Sequence, residues 1–399
     1  MIEMTHLAKM IEMKLNGDTY IQSDFERLVQ ELHEKTYDKS QLAAWLMAVK
    51  ILGLSKQETS MLTKAMTTRV TGKDALTSII DKHSTGGVGD SVTLLVLPIV
   101  AACGVPLIKL SGKSLGFTGG TIDKLSSIPG IDLTKTPDQI KEQVNRVGAY
   151  IGMQTDDLCF ADKIMYELRD RTGSVASIPL ICSSILSKKF STGAQRLVIN
   201  LKYGAGAFIK DSEEAEILKE YMEYACSDNN IPVKIVVEAA DEPIANIIGT
   251  GLEIQNIYRI LSLDEEAHQS DKHLIDVSLN IASEMLCLCK EIDFSEAIEE
   301  CKNALKSGRA KVYFVKMIEA QNGQLNQLLS EKSKYEIAVL AADDGVIQAM
   351  DKIQIGHLVN DFAKFKLNNQ ETKLDYMYGF QIIRHINDVV SKGDCLAKI

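Results

Sequence analysis

Two glycine-containing loops carry the residue types that bind anions. The first is KHSTGGVGD at 82–90, and the second is KLSGKSLGFTGGT at 109–121. Glycines let backbone N–H groups approach an anion closely, and a helix that starts after such a loop directs its positive end toward it. Lysine and serine side chains add charge and hydroxyl donors. Both loops therefore predict phosphate binding; the alternative, which the pattern favours less, is a tight turn that closes a βα unit.

A third group of polar residues lies in the segment SIPLICSSILSKK at 177–189. Ser184 and Lys188 are four residues apart, so on a helix they share a face, and Ile181 and Ile185 flank that face. A flat ligand with polar edges suits such a wall. The alternative is an amphipathic helix with a solvated lysine.

The elements around these residues predict an α/β arrangement. A strand at 76–80, the first loop, a helix at 92–103 and a strand at 106–110 form a βαβ unit with a parallel sheet. Further strands of that sheet are expected at 197–201 and 233–237. The two loops would then face each other at the carboxyl end of neighbouring strands, where α/β folds bind ligands.

Helices are expected over most of the remaining chain. They cover 1–70, where Ser55 has the position of a helix N-cap and Trp45 belongs to the core or a subunit interface. Residues 161–190 and 264–330 are also expected to be helical. From Tyr335 the chain has short β runs broken by Gly, Asn and Asp, which indicates a small α+β domain.

The composition is that of an ordinary globular protein of two or three domains. The 399 residues are 45% hydrophobic, and 44 Lys+Arg against 54 Asp+Glu give a formal net charge of −10. This acidic balance argues against nucleic-acid binding. No apolar run reaches the roughly 18 residues of a membrane span, and the N-terminus lacks a signal-peptide pattern. We read the eight scattered cysteines as reduced thiols and expect a cytoplasmic protein.

Five segments resemble the thymidine phosphorylase and pyrimidine-nucleoside phosphorylase family. They are DKHSTGGVGD (81–90), KLSGKSLGFTGGTIDKLSSIPG (109–130), ADKIMYELRD (161–170), SIPLICSSILSKK (177–189) and KYGAGAF (202–208). Weaker similarity extends over nearly the whole chain. The resemblance implies a pentosyltransferase that cleaves uridine, thymidine or deoxyuridine with phosphate, reversibly, to the free base and a (deoxy)ribose 1-phosphate.

The resemblance also implies a mixed α/β fold. A helical domain is joined to a larger α/β domain with a central, mainly parallel sheet, followed by a small C-terminal α+β domain. The expected boundaries are 1–70 joined by 161–192, then 71–330, then 331–399, the last domain being shorter than in the family. A homodimer through the helical domain and a cleft that closes between the two larger domains are implied as well.

Matching positions assign the residues of the site. The implied phosphate ligands are Lys82, Ser84, Ser111 and Thr121, with Thr93 and Lys109 nearby. The implied base ligands are His83, Arg169, Ser184 and Lys188. The implied apolar walls around the base are Leu115, Ile181, Ile185 and Phe208. Arg169 and Lys188 can stabilise charge on the departing base, and His83 can donate a proton because imidazole titrates near neutrality.

Four positions depart from the family. Lys113, Ser114 and Phe117 stand where arginine, glycine and histidine are usual, and Arg171 stands where a neutral aliphatic residue is usual. Lysine cannot reproduce a bidentate guanidinium contact. These differences bear on domain closure and sugar recognition, and they leave two alternatives open: a phosphorylase with altered nucleoside specificity, or a non-catalytic nucleoside-binding homologue.

Bacterial relatives hold a potassium ion near the glycine loop. The matching positions are Gly89, Ser91, Ile244, Ile247 and Asn256. Asn256 stands where the family has glutamate, and an amide oxygen can ligate a cation but carries no charge. We therefore expect weaker potassium binding than in relatives, and no organic cofactor.

Overall fold

The structure is a computed structural model of the chain. It describes residues 4–67, 80–112, 119–153, 159–205, 207, 209–363 and 376–399. Contacts divide the chain into two compact units. The first, here the helical unit, comprises 1–83, 155–201 and 211–237, and the second, here the α/β unit, comprises 84–154, 202–210 and 238–399.

Helices dominate the described residues. In chain order they are α1 (His6–Asn16), α2 (Gln22–Glu34), α3 (Lys39–Leu52), α4 (Lys56–Met66), α5 (Val92–Ala102), α6 (Thr121–Leu125), α7 (Pro137–Val147), α8 (Phe160–Thr172), α9 (Ile178–Ser191), α10 (Ser212–Asp228), α11 (Thr250–Leu261), α12 (Glu265–Ser270), α13 (Lys272–Lys290), α14 (Phe294–Lys306), α15 (Arg309–Ala320), α16 (Leu325–Ser330) and α17 (Lys352–Ala363). Among them, no helix combines the length and the hydrophobicity that crossing a bilayer requires.

The strands are short. They are β1 (Asp81–Ser84), β2 (Leu107–Ser111), β3 (Ala149–Met153), β4 (Leu197–Tyr203), β5 (Val233–Ala239), β6 (Ile247–Ile248), β7 (Ala338–Leu340), β8 (Gly345–Val346), β9 (Phe380–Ile382), β10 (Val389–Val390) and β11 (Cys395–Lys398).

Local sequence signals start the helices of the helical unit. The predicted N-cap Ser55 is confirmed: its hydroxyl accepts the N–H of Glu58, whose carboxylate accepts the N–H of Ser55 in return. The apolar faces of α1 to α4 and α8 meet in one core. Trp45 is fully buried there, and its indole N–H donates to the Tyr20 hydroxyl at 3.2 Å.

Strands β1, β4 and β5 form a three-stranded sheet with β4 in the centre. The strands expected at 197–201 and 233–237 are confirmed as β4 and β5. Positions 76–79 of the first predicted strand lie outside the described residues, so that strand stays a prediction. The assignment of 81–84 to the loop is corrected, because β1 occupies Asp81–Ser84. These polar residues can form a partly buried strand because the buried Asp81 carboxylate pairs with the Lys189 ammonium at 2.8 Å.

In the α/β unit, β2 and β3 pair in parallel, with Leu107 opposite Ala149 and Ser111 opposite Met153. Helix α5, predicted at 92–103, is buried along its entire length. The prediction of one sheet for 106–110, 197–201 and 233–237 is wrong in the described part of the chain, since β2 belongs to the β2–β3 pair and β4 and β5 to the other sheet. The partner strand β3 has only five residues and no strong alternation of apolar and polar residues, so it was not predicted.

The C-terminal region forms a four-stranded sheet in the order β6-β9-β11-β7 and a β8–β10 pair, as expected for a small α+β region. It belongs to the α/β unit in the contact division, so the expected boundary at 331 stays a prediction. Gly249 and Gly379 mark a close backbone approach where β6 pairs with β9. A Cβ atom on Gly249 would strike the carbonyl oxygen of Tyr378, and one on Gly379 would strike that of Ile248.

Candidate functional site

The first glycine loop is organised around Asp90 in the α/β unit. The Asp90 carboxylate accepts the Ser84 hydroxyl at 2.6 Å and the Val92 N–H at 3.2 Å, and it pairs with the Lys202 ammonium at 2.7 Å. Gly86 has φ of 91° and donates its N–H to the Ser84 hydroxyl at 3.2 Å. The loop therefore ends at the start of α5 in a hydrogen-bonded turn, as an anion-binding loop before a helix requires.

The predicted phosphate ligands of the α/β unit all lie where strands end or helices begin. Ser84 ends β1, Thr93 lies in the first turn of α5, Lys109 and Ser111 lie in the last three residues of β2, and Thr121 is the first residue of α6. Lys109 and Thr93 are buried, at 4% and 5% exposure. Carboxyl ends of strands and N-termini of helices are the usual anion positions of α/β proteins.

Lys82 and His83 precede Ser84 on β1 and fall in the helical unit. Lys82 is 1% exposed, and His83 is half-buried. Their strand is fixed to the start of β4 by the Asp81 N–H, which donates to the Arg196 carbonyl at 3.0 Å. Their assignment to phosphate and base stays a prediction.

Helix α9 carries the predicted base wall. Lys188 donates to the Ser184 hydroxyl at 3.3 Å, which confirms that the two side chains share a face. Ile181 and Ile185 are each 9% exposed on the same helix. The ammonium also pairs with the Asp162 carboxylate of α8 at 2.6 Å, a contact that no spacing rule predicts because the two residues lie on different helices.

Arg169 lies beside this wall but is occupied by main-chain oxygens. Its guanidinium donates to the carbonyls of Ser174, Val175 and Leu180 at 3.4, 2.6 and 3.1 Å, and the residue is 2% exposed. Burial lowers the pKa of this guanidinium, and the Asp162 carboxylate opposes the shift. Arg169 thereby fixes the turn between α8 and α9, a role that the sequence analysis missed.

Tyr166 is a further residue without a predicted role. Its ring centroid lies 5.6 Å from Cζ of Arg169 and 5.7 Å from Nζ of Lys188, so the ring faces both cations. Burial raises the pKa of its hydroxyl. The signal was available in the sequence, since Tyr166 lies inside the family segment ADKIMYELRD.

Several predicted residues lie outside the described part of the chain, namely Leu115, Phe208, Lys113, Ser114 and Phe117. Arg171, expected near the base wall, is described and has an exposed side chain that pairs with Glu167 at 2.7 Å, one turn away on α8. That arrangement is an ordinary helix-surface ion pair.

Among the predicted potassium ligands, Gly89, Ser91 and Asn256 form hydrogen bonds with protein groups. The Gly89 carbonyl accepts the N–H groups of Ser91 and Ala245 at 3.0 and 3.3 Å. The Ser91 hydroxyl donates to the Glu253 carboxylate, and the Asn256 amide donates to Asp271 at 3.0 Å. None of the five positions supplies a charged ligand, and the described residues contain no cluster of three His, Cys, Asp or Glu side chains suited to a metal ion. Weak potassium binding at these positions stays a prediction.

Family profiles match both parts of the chain. The glycosyl transferase family a/b domain matches residues 76–311, and the helical bundle domain of the same family matches residues 8–69. Anthranilate phosphoribosyltransferase from Thermus thermophilus shares the fold, with a TM-score of 0.59 at 16% identity over 79% of this chain and 99% of that one. A variant of the enzyme from Saccharomyces cerevisiae gives a TM-score of 0.60 at 12% identity over 80% of this chain and 99% of that one.

Curated relatives are similar over the whole chain. Thymidine phosphorylase of Sinorhizobium medicae is 33% identical over 400 residues, which are 98% of this chain and 90% of that protein. Pyrimidine-nucleoside phosphorylase of Bacillus subtilis is 33% identical over 402 residues, which are 98% of this chain and 91% of that protein. The predicted fold class is confirmed, and the chain belongs to the thymidine phosphorylase and pyrimidine-nucleoside phosphorylase family of glycosyl transferases.

Proposed function

We propose that the protein is a pyrimidine-nucleoside phosphorylase that converts uridine, thymidine and deoxyuridine, with phosphate, to the free base and (deoxy)ribose 1-phosphate. One observation carries the proposal: on α9, Ser184 and Lys188 are joined at 3.3 Å beside two isoleucines, a combination of polar donors and apolar side chains that suits a pyrimidine. The relatives that match 98% of this chain have names that specify the same reaction.

The reaction makes separate demands on base and phosphate. A phosphate oxygen forms the new bond to C1′ while the N-glycosidic bond breaks, and the bonding pair leaves on the pyrimidine ring. Lys188 and Arg169 place two positive charges beside α9, where the departing base becomes negative. His83 is the proposed proton donor to the base, and an oxocarbenium-like sugar needs no covalent enzyme intermediate.

Phosphate is proposed to bind among Lys82, Ser84, Ser111 and Thr121, with Thr93 and Lys109. Convergent cations and hydroxyl or N–H donors suit its three terminal oxygens. In this structure the Ser84 hydroxyl donates to Asp90 at 2.6 Å, so the proposed contact requires that hydroxyl to turn from the carboxylate to phosphate.

We also propose a homodimer formed through the helical unit, in the cytoplasm. Large apolar side chains of that unit are exposed, including Ile51 at 73% and Leu15 at 64%, and a second copy would remove them from water. None of the eight cysteines, all of which the structure describes, is in a disulfide, which suits a reducing compartment.

The test is release of free base from a panel of nucleosides, followed by ultraviolet absorbance with and without phosphate. The expected result is phosphate-dependent turnover of uridine, thymidine and deoxyuridine. The variant Lys141→Met, on the α/β unit, should have the same turnover as the wild type. Turnover confined to other nucleosides favours altered specificity. Nucleoside binding without any turnover contradicts the proposal and favours a non-catalytic homologue.

A further inference from the structure

Two buried lysines bind Asp90, one at its side-chain carboxylate and the other at its main-chain carbonyl. The Lys202 ammonium, 0% exposed, pairs with the Asp90 carboxylate at 2.7 Å. The Lys124 ammonium, 1% exposed, donates to the Asp90 carbonyl at 2.6 Å. Neither lysine was predicted as a site residue, and neither belongs to the proposed phosphate ligands.

Lys124 also connects this loop to the start of α11. Its ammonium pairs with Glu253 at 2.6 Å, and the same carboxylate oxygen accepts the Ser91 hydroxyl. The other oxygen of Glu253 accepts the Gly249 N–H at 3.1 Å. Glu253 is 4% exposed, so the pair is buried and its geometry is restricted by several hydrogen bonds at once.

The electrostatic consequence concerns the anion beside Ser84. An unpaired Asp90 carboxylate would repel phosphate at that position, since Asp90 contacts the Ser84 hydroxyl directly. Lys202 cancels this charge in a buried environment, where screening by solvent is small. Lys124 meanwhile fixes the main chain of Asp90, and so the direction of the N–H groups that open α5.

We propose that Lys124 and Lys202 are positioning residues for phosphate: they set the geometry and charge of the glycine loop without touching the substrate. The proposal rests on the proposed phosphorylase function. A merely structural role would lower stability and kcat without distinguishing the two substrates. A positioning role raises the KM for phosphate and leaves the KM for the nucleoside unchanged.

The experiment measures both KM values, kcat and melting temperature for Lys124→Met and Lys202→Met. Each single variant leaves one buried carboxylate unpaired, so two charge-balanced variants are included: Lys124→Met with Glu253→Gln, and Lys202→Met with Asp90→Asn. Lys135→Met is the matched control, because the Lys135 ammonium also donates to a carbonyl of the α/β unit, that of Ala320 at 2.7 Å, away from the loop.

The expected result is a rise of about ten-fold or more in the KM for phosphate, as for loss of one charge-assisted hydrogen bond, with the KM for uridine changed less than about two-fold. The control should keep both values. The variant Lys202→Met with Asp90→Asn should restore the KM toward wild type, because it also removes the repelling carboxylate. Equal changes in both KM values, no such restoration, or an unchanged KM for phosphate in the folded Lys124→Met, Glu253→Gln variant, would overturn the proposal. Wild-type protein without turnover and without calorimetric binding of inorganic phosphate would instead contradict the phosphorylase function itself.

Discussion

Lys188 and Arg169 carry the same charge in different surroundings. Lys188 is 31% exposed and pairs with one carboxylate, whereas Arg169 is buried among three carbonyl oxygens. In the proposed site, the Lys188 ammonium can therefore contact a substrate directly, whereas Arg169 would act through its charge from a fixed position. Arg169 also stabilises the turn that leads into α9.

Lys188→Ala and Arg169→Ala should each lower kcat/KM for uridine by about two to three orders of magnitude, because each removes a preorganised charge beside the departing base. Arg169→Ala should also lower the melting temperature, since it leaves buried carbonyls unpaired. Steady-state kinetics and thermal melts of purified protein test both effects. Near-normal kcat/KM in both variants would show that neither charge acts on the base.

Lys109 lies near the end of β2 and is 4% exposed. An ammonium there can donate to a ribose 2′-OH, whereas an apolar side chain would leave that hydroxyl unpaired. Lys109→Met should therefore lower kcat/KM for uridine more than for deoxyuridine, by about ten-fold in the ratio. If both substrates lose activity equally, Lys109 acts on phosphate alone and the sugar argument is wrong.

At the residue scale, side-chain contacts that follow helical spacing can be predicted from the sequence, and contacts between different elements cannot. Ser184 and Lys188 could be placed on one face from their four-residue separation. The contacts of Arg169 with carbonyls and of Lys188 with Asp162 depend on how α8 meets α9. Such contacts carry no local signal, because they are set by the turn at 173–177 and by packing.

At the scale of elements, the expected potassium ligands lie in the glycine loop, around β6 and on α11, and none of them carries a charge. Potassium should therefore bind weakly, because Asn256 brings no charge and Glu253 already pairs with Lys124. Melting temperature and activity should be nearly the same in potassium and in tetramethylammonium chloride at equal ionic strength. A potassium-specific rise in melting temperature with a saturable activity requirement would contradict this prediction.

Nε2 of His273, at the start of α13, lies 3.3 Å from Oε1 of Glu238 on β5. The hydrogen bond to Glu238 raises the pKa of His273 above its usual 6.5. The stabilisation is therefore fully present below about pH 6.5, the unfolded value, and is lost as the pH rises through the higher folded value. Melting temperatures of wild type and His273→Gln should differ most near pH 5.5 and converge toward pH 8.5. A difference that grows with pH would reverse the sign and refute the assignment.

Element prediction succeeded where burial and periodicity agree. Helix α5, strands β4 and β5 and the capped helix α4 all follow clear apolar runs or caps. The residues of β1 were assigned to a loop because they are polar; in the structure the Asp81 carboxylate is buried and pairs with Lys189, a contact that no local pattern predicts. The sheet order could not be read from the sequence, since β2 pairs with β3 and that partner carries a weak pattern.

At the scale of the whole molecule, the helical unit should mediate dimerisation. Ile51→Lys places a charge on the exposed apolar end of α3 and should convert a dimer to a monomer in sedimentation velocity. Val312→Lys is the matched control, since Val312 is 49% exposed on α15 of the α/β unit. A wild-type monomer, or equal dissociation of both variants, would exclude dimerisation through this surface.

Gly249 and Gly379, which lie where β6 pairs with β9, should be coupled in how the protein responds to their substitution. A side chain at Gly249 or at Gly379 pushes apart the same two stretches of backbone, so the first substitution already separates them. The second then meets space that is open, and the damage of the two changes should be far from additive. A lineage that loses either glycine should therefore be under weaker constraint at the other.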